Sequence, residues 1–372
     1  MHILHIITTC DIGGAEVQLL ALAKQQIKSD HQISILALKG SSSLKREFED
    51  CGAIFLDFLE NKNPLMQLFF IRNLLKKERF DIVHAHLPRA QLISALAKTT
   101  SDKLIVTRHD AMPFYSSGSK KLSMALWKIV KNRSKRTIVI SSAIAKKMLE
   151  REEIQNVSDV VVIHYGLESS NNQNCVLPTE LLLIKKSQDI KFICVARFVD
   201  EKNHESLIRA FAKLKSQKSF VQLFLIGYGT LEQRLRTIVQ ELSLDDSVQF
   251  MGRRRDIQQL LSVCDVSVLP SHTEGFGLVL LEAMQAGLPI LASRVDAIPE
   301  ILGEKCGLMF DPRNVEDIFQ KMMIAMDKEF RLSQSRASLL RLGDFSIKKA
   351  SEQIEEVYSQ VSLVTSSNTQ KC

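Results

Sequence analysis

Val266-Ser267-Val268-Leu269-Pro270 is an apolar run of strand length, and a helical pattern, Leu278–Ala286, begins shortly after it. Between them lies Ser271-His272-Thr273-Glu274-Gly275-Phe276-Gly277. Such a loop leaves the carboxyl end of a strand, where ligands sit in open parallel sheets. Gly275 and Gly277 allow the backbone to approach a ligand closely. The helix tip offers free N–H groups and the positive end of its dipole, which suits a diphosphate. Two acids flank it, Glu274 in the loop and Glu282 one to two turns into the helix. A second loop carries two cations. Arg197 follows the apolar run Phe192–Ala196, and Lys202 lies in the same loop or the first turn of the next helix. A guanidinium fork and an ammonium point charge together would clamp pyrophosphate oxygens. Taken alone, such a pair reads as surface solvation. A third loop, Thr9-Cys10-Asp11-Ile12-Gly13-Gly14-Ala15-Glu16, follows the first apolar run and opens the first helix. It occupies the nucleotide-binding position without the G-x-G-x-x-G spacing, and by itself it is a tight strand-to-helix turn.

These loops need strands to hold them. In the first half, apolar runs at Ile3–Thr8, Ile33–Leu38, Ile54–Leu56, Ile82–His84, Leu104–Thr107, Thr137–Ile140 and Val160–Ile163 predict strands. Helical patterns intervene, as at Ala15–Lys28 and Ser142–Glu150. In the second half, strands are predicted at Phe192–Ala196, Gln222–Ile226, Val248–Met251, Val266–Pro270 and Ile290–Ser293. Between them lie the helical stretches Glu205–Lys215, Thr230–Leu242, Ile257–Val263 and Leu278–Ala286. Apolar strands alternating with helices imply parallel sheets covered on both faces. The fold class is therefore α/β, with two doubly wound domains. The polar, turn-rich stretch Glu168–Asn174 marks the boundary. The expected division is 1–167, a linker at 168–188, and a second domain at 189–345, with a frayed tail from Val364.

The rest of the composition narrows the class of protein. With 372 residues, 45% hydrophobic and 24% charged, there is material for two cores. No stretch approaches the ~20 apolar residues of a membrane span. The longest candidate, Pro64–Leu75, is broken by Gln67, Arg72 and Asn73. The start, Met1-His2-Ile3-Leu4-His5-Ile6-Ile7, has no basic region and reads as a buried strand, so a cytoplasmic location is expected. Seven cysteines, an odd number, show no zinc spacing and imply reduced thiols. A net charge of +7 favours anionic partners, or serves solubility alone. No nucleic-acid recognition module is visible. A nicotinamide dehydrogenase is disfavoured, because Glu232 stands where Gly227-Tyr228-Gly229 would need a third glycine.

Further pieces complete an ordered set. They are Gly13-Gly14-Ala15-Glu16, His84-Ala85-His86, Thr107-Arg108-His109, Arg197 with Lys202, Leu225-Ile226-Gly227-Tyr228-Gly229, and Phe250-Met251-Gly252. Last come Glu274 and Glu282, with seven residues between them, within SHTEGFGLVLLEAMQAGLPI. In this order, over nearly the whole length, the chain resembles the GT-B glycosyltransferases often called family 4, or glycosyl transferases group 1. The resemblance implies two Rossmann-like domains facing across a cleft. The first would be the acceptor side and the second would bind the nucleotide sugar. A C-terminal helix, 346–363, would cross back to the first domain. Arg197 and Lys202 would bind the donor diphosphate, Glu274 the sugar hydroxyls and Glu282 the ribose. Gly277, Leu278 and Val279 would offer backbone N–H groups to phosphate, and Gly13 and Gly14 would let their loop approach it. His109 would face sugar and acceptor, while Gly227, Gly252 and Arg253 would edge the nucleotide. Asn203 replaces the family's frequent glycine after the lysine, but asparagine also reaches left-handed conformations. Thr230 replaces a common proline, and Tyr165-Gly166-Leu167-Glu168 matches its counterpart loosely. Plainer readings stand beside these roles. Glu282 is then a solvated helix glutamate, His84 and His86 cap a strand, and His109 is a satisfied loop histidine. For His86 the structural reading is preferred.

The resemblance implies transfer with retention, the leaving phosphate accepting the acceptor's proton, so no protein nucleophile is named. The donor would be a UDP- or GDP-sugar, with no cofactor. No Asp-x-Asp triplet occurs, which fits protein cations in place of a metal. The acceptor is expected to be a glycan or lipid-linked glycan of the cell envelope, such as lipopolysaccharide. Ser119–Arg136 holds seven basic and no acidic residues, with Leu122, Leu126, Ile129 and Val130 at helical spacing near Trp127. It reads equally as a patch for the anionic inner face of the membrane or as a packed helix with a solvated basic face. A sugar-nucleotide epimerase and a non-catalytic sugar-nucleotide-binding subunit are the rival functions.

Overall fold

The computed structural model describes residues 1–56, 62–97, 103–115, 119–168 and 177–369. The polar stretch on which the sequence places the boundary lies, Glu168 apart, outside the described residues. The chain forms two compact units, Met1–Glu168 with Ser346–Cys372, and Ser169–Phe345.

The first unit is built on seven parallel strands: β1 (His2–Thr9), β2 (Gln32–Lys39), β3 (Ile54–Leu56), β4 (Ile82–His86), β5 (Leu104–Arg108), β6 (Arg136–Val139) and β7 (Val161–Val162). Their order is β3-β2-β1-β4-β5-β6-β7. The strand interiors are apolar on both faces because helices cover both, and Ile3, Leu4, Ile35, Leu36, Ile82 and Ile105 are fully buried. Strand β4 runs two residues beyond the sequence expectation, so His84 and His86 lie inside the sheet and do not cap it. The helix Ile347–Thr369 returns to this unit, where Ile347, Ile354, Val357 and Tyr358 join a core with Leu19, Ala23 and Ile33. Its entry is close: a Cβ on Gly166 would stand 2.4 Å from the Ser346 backbone.

The second unit has six parallel strands: β8 (Ile190–Val195), β9 (Val221–Ile226), β10 (Val248–Gly252), β11 (Val266–Leu269), β12 (Ile290–Ser293) and β13 (Leu308–Phe310). Their order is β10-β9-β8-β11-β12-β13. Sequence patterning missed β13, a three-residue edge strand too short to show a period. The core gathers Phe192, Phe211, Leu223, Leu225 and Val268 against Ile318 and Met322.

Each sheet reverses its direction of winding once, between β1 and β4 in the first and between β8 and β11 in the second. A crevice opens at such a switch point, outside the carboxyl ends of the strands. The loops after β1, β8 and β11 are the three that the sequence marks for phosphate chemistry. No helix among the described residues is long and apolar enough to cross a membrane.

The turn after β9 braces the loop after β8. Phe198 N donates to Tyr228 O at 2.9 Å and Ala196 N to Ile226 O at 3.0 Å. Gly227 has φ 147°, and a Cβ there would come 2.0 Å from Ala196 O. Gly227→Ala is therefore expected to destabilise the fold by at least ~2 kcal/mol. Urea unfolding followed by fluorescence would measure it, and an unchanged midpoint would contradict the close packing described here.

Candidate active site

In the second unit, Gly277 caps the helix Leu278–Gln285 with φ 84° and ψ 62°, a left-handed conformation open to glycine. That turn leaves Leu278 and Val279 in the first helical turn, where backbone N–H groups have no intrahelical acceptor. Glu274 is fixed beside the tip. Its N–H donates to Asp296 Oδ2 at 2.9 Å, and the Thr273 hydroxyl donates to the same oxygen at 2.5 Å. The Glu274 carboxylate accepts from Lys202 Nζ at 2.5 Å, with side chains only 13% and 18% exposed. Lys202 ends a 3-10 turn, Asp200–Lys202. The two loops are also joined through backbone, His272 N donating to Glu201 O at 2.8 Å. Arg197 is exposed, and its guanidinium has no partner among the described residues.

Asn203 shows why its departure from glycine is tolerated. Its φ of 51° is left-handed, and its side-chain amide donates to Pro270 O at 3.1 Å and Pro312 O at 2.8 Å. It supplies the backbone shape of a glycine and pins the loop that carries Glu274. Asp296 and Thr273 were missed as supports for that loop. Asp296 does follow the carboxyl end of β12, the one signal that could have found it.

Glu282 is half-buried, and burial pushes its carboxyl up to about 7. Among the described residues the carboxyl has no hydrogen-bond partner, and only its backbone O accepts, from Gln258 Nε2 at 3.4 Å. Gly227, Gly252 and Arg253 form a separate strip. Gly227 N donates to Gly252 O at 2.9 Å, and the Arg253 guanidinium lies over the Tyr228 ring at 5.3 Å. That strip touches the Arg197 loop through Ala196.

In the first unit, Gly13 is the N-cap of the helix Gly14–Lys28. A Cβ on Gly13 would come 2.6 Å from Glu16 Oε2, and one on Gly14 would meet nothing within 4 Å. Glu16 folds back over the cap and accepts from the Thr9 hydroxyl at 2.5 Å. His109 follows β5, and the two-residue period of the strands explains its company. His84 and His86 share a face of β4, and His5 stands opposite His84 in register. His109 Nε2 meets His86 Nδ1 at 3.0 Å, and His86 Nε2 meets His5 Nδ1 at 3.0 Å. His109 Nδ1 meets the Tyr165 hydroxyl. Burial, then the charge of Arg108, pushes His109 down to about 3. Burial lowers His5 to about 4 and holds His84 and His86 well below the usual value. All four rings are neutral at pH 7. His5, His84 and His86 place ring nitrogens within 4.8 Å of one another, near enough for a metal, but those nitrogens are spent on hydrogen bonds. Arg108 points to the other face, pairing with Glu153 at 3.2 Å under Trp127.

Two doubly wound parallel sheets are the architecture of the GT-B fold, and one switch point here holds a helix tip, a lysine–glutamate pair and an unpaired arginine. Residues 12–170 match the family described as Glycosyltransferase Family 4, and residues 183–339 match Glycosyl transferases group 1. The chain belongs to these glycosyltransferases and is a transferase enzyme. It is 24% identical over 378 residues to N-acetyl-alpha-D-glucosaminyl L-malate synthase of Bacillus anthracis, covering 95% of this chain and 96% of that protein. Its fold is similar to that of Anabaena Alr3699/HepE, solved in complex with UDP-glucose, with TM-score 0.83, 20% identity, and 97% and 100% of the two chains covered. WaaG, a glycosyltransferase involved in lipopolysaccharide biosynthesis, is similar with TM-score 0.75 and 16% identity over 96% of this chain and 99% of that one.

The raised carboxyl of Glu282 has a consequence for stability. Its folded value lies above its ordinary one, from 4.5 to about 7, so the folded state binds the extra proton. Stability therefore falls as pH rises between those values, and the loss is complete above about 7. Glu282→Gln is expected to flatten this fall, read as the difference in Tm between pH 5 and pH 8. Parallel pH profiles in the two proteins would contradict the burial of that carboxyl.

Proposed function

We propose that the chain is a retaining glycosyltransferase that moves a sugar from a UDP- or GDP-sugar to a hydroxyl of a glycan or glycolipid acceptor of the cell envelope. One observation carries this reading: Lys202 and Glu274 are paired beside the open tip of the Leu278–Gln285 helix, with Arg197 unpaired in the neighbouring loop. The diphosphate lies on the tip. Arg197 and Lys202 take the charge that grows on the β-phosphate as the sugar C1–O bond breaks. The acceptor oxygen forms the new bond on the same face of C1, and its proton passes to the departing phosphate oxygen. Glu274 accepts sugar hydroxyls and Glu282 the ribose hydroxyls. Fixed protein cations supply the field at the phosphates, with no cofactor. A UDP donor is supported by the similarity to the Anabaena protein solved with UDP-glucose. An envelope acceptor is supported by the similarity to WaaG.

The test is a donor-hydrolysis screen across UDP-, GDP- and ADP-sugars. Wild-type protein is expected to release UDP or GDP. Arg197→Ala, Lys202→Ala and Glu274→Ala are each expected to lower turnover about 100-fold or more with unchanged circular dichroism. Wild-type rates in all three variants would overturn the site.

Membrane contact through 119–136 belongs to the same proposal. The helix Lys120–Arg133 buries Ser123, Trp127 and Val130. Leu122 and Ile129 stay exposed, at 45% and 36%, among the exposed Lys120, Lys121 and Lys128. The apolar positions thus divide, part to the core and part to the basic face, which suits the cytoplasmic surface of an anionic membrane. Pelleting with phosphatidylglycerol vesicles is expected to be salt-sensitive and lost when Lys120, Lys121 and Lys128 are each changed to Glu. Equal pelleting of wild type and variant would remove this part of the reading.

A further inference from the structure

The hydrogen bonds around His109 continue as one chain whose direction is set elsewhere. Beyond His86 and His5, His5 Nε2 meets Gln26 Oε1 at 2.9 Å. An amide oxygen only accepts, so His5 carries its proton on Nε2. A neutral imidazole has a single N–H, so His5 Nδ1 is a lone pair and takes the proton of His86 Nε2. The same step puts the proton of His109 on Nε2 and leaves its Nδ1 as a lone pair, to which the Tyr165 hydroxyl donates. The deduction needs neutral rings, which burial ensures.

The Gln26 amide is held in turn. Its Nε2 donates to the Tyr358 hydroxyl at 3.4 Å. Tyr358 donates to His84 Nδ1 at 2.7 Å, and His84 Nε2 donates to the Thr107 hydroxyl at 2.6 Å. Every link has one donor and one acceptor. Gln26 itself is fully buried. Beside the rings lies a small cavity of about 30 Å³, room for one hydroxyl, its mostly apolar wall broken by Gln18, His84, His86, His109 and Tyr165. Gln18 Oε1 is buried with no hydrogen-bond partner among the described residues. A cavity wall with an unmatched acceptor and a hydroxyl already docked on a lone pair has the chemistry to take hydroxyl groups.

We propose that Gln26 is a positioning residue for glycosyl transfer: through His5 and His86 it fixes His109 with its Nδ1 lone pair ready for a substrate hydroxyl, which displaces the Tyr165 hydroxyl. The functional part rests on the reading of the chain as a glycosyltransferase; the tautomer does not. In this state His109 accepts a hydrogen bond from a sugar or acceptor hydroxyl and neither donates to a substrate oxygen nor acts as a cation.

Long-range 15N–1H correlation spectra of histidine-labelled protein at pH 7 report which nitrogen of each ring is protonated. The expected result is Nε2–H at His5, His86 and His109. In Gln26→Leu the His109 ring is expected to populate both tautomers. Turnover should then drop about 10–100-fold while the donor KM stays within about two-fold. Gln26→Glu, which keeps an acceptor toward His5, is expected to restore the single tautomer. A wild-type His109 protonated on Nδ1 overturns the proposal, and that measurement stands even if Gln26→Leu fails to fold. A Gln26→Leu ring that remains wholly Nε2–H also overturns it. Because the spectra need no substrate, loss of the tautomer assignment is distinguishable from absence of transferase activity.

Discussion

The bond between Lys202 and Glu274 organises the second unit. It joins two loops that leave adjacent strands on either side of the switch point, β8 and β11. An ion pair this sheltered gives up hydration on both partners, so its worth lies in geometry more than in stability. It holds an ammonium and a carboxylate at the helix tip before any phosphate arrives. In the proposed reading those two groups need little rearrangement to meet a pyrophosphate on one side and a sugar hydroxyl on the other, and preorganisation of this kind is what lowers a barrier. The surrounding contacts serve the same end. Asn203 anchors one loop, Asp296 the other, and the Gly227 turn braces the segment that ends in Arg197.

The histidines of the first unit follow a different economy. In the second unit charge is kept and paired; here charge is removed. Four imidazoles, His5 and His84 within β1 and β4, His86 as the last residue of β4 and His109 just after β5, are buried deeply enough to stay neutral and are linked by hydrogen bonds. A buried polar group without a partner is costly, whereas a closed series of partners is rigid and specific. That rigidity reaches from Tyr165 to Thr107 through Gln26 and Tyr358, so residues distant in sequence behave as one object.

Much of this architecture is written locally. Continuous apolar runs such as Ile33–Leu38 and Val266–Leu269 become buried parallel strands because nothing else can bury both of their faces. The side-chain types at the ends of β8 and β11, cations in one loop and glycines with an acid in the other, are legible in the sequence, although the cation pair alone reads equally as a solvated surface. What stayed hidden depends on register and tertiary contact. Nothing in the sequence says that His5 stands opposite His84, or that Gln26 reaches both His5 and Tyr358. Asp296 and Thr273 support Glu274 through a loop contact that no periodicity encodes. Strand β13 escaped because three residues at a sheet edge show no pattern. The basic helix Lys120–Arg133 was visible as amphipathic, but which apolar residues turn inward depended on Arg108 and Glu153 receiving Trp127.

The return of the helix Ile347–Thr369 to the first sheet has a consequence for biosynthesis. On the ribosome, the segment up to Phe345 is polymerised before any of that helix. Until then the helix Gly14–Lys28 lacks the neighbours that Ile354, Val357 and Tyr358 provide, and Gln26 lacks its phenol partner. Nascent chains usually fold from the front, domain by domain. This one must hold its leading half unfinished while the trailing half is made. A chain stopped before Ile347 would leave Leu19, Ala23 and Ile33 without the apolar partners that Ile354, Val357 and Tyr358 supply.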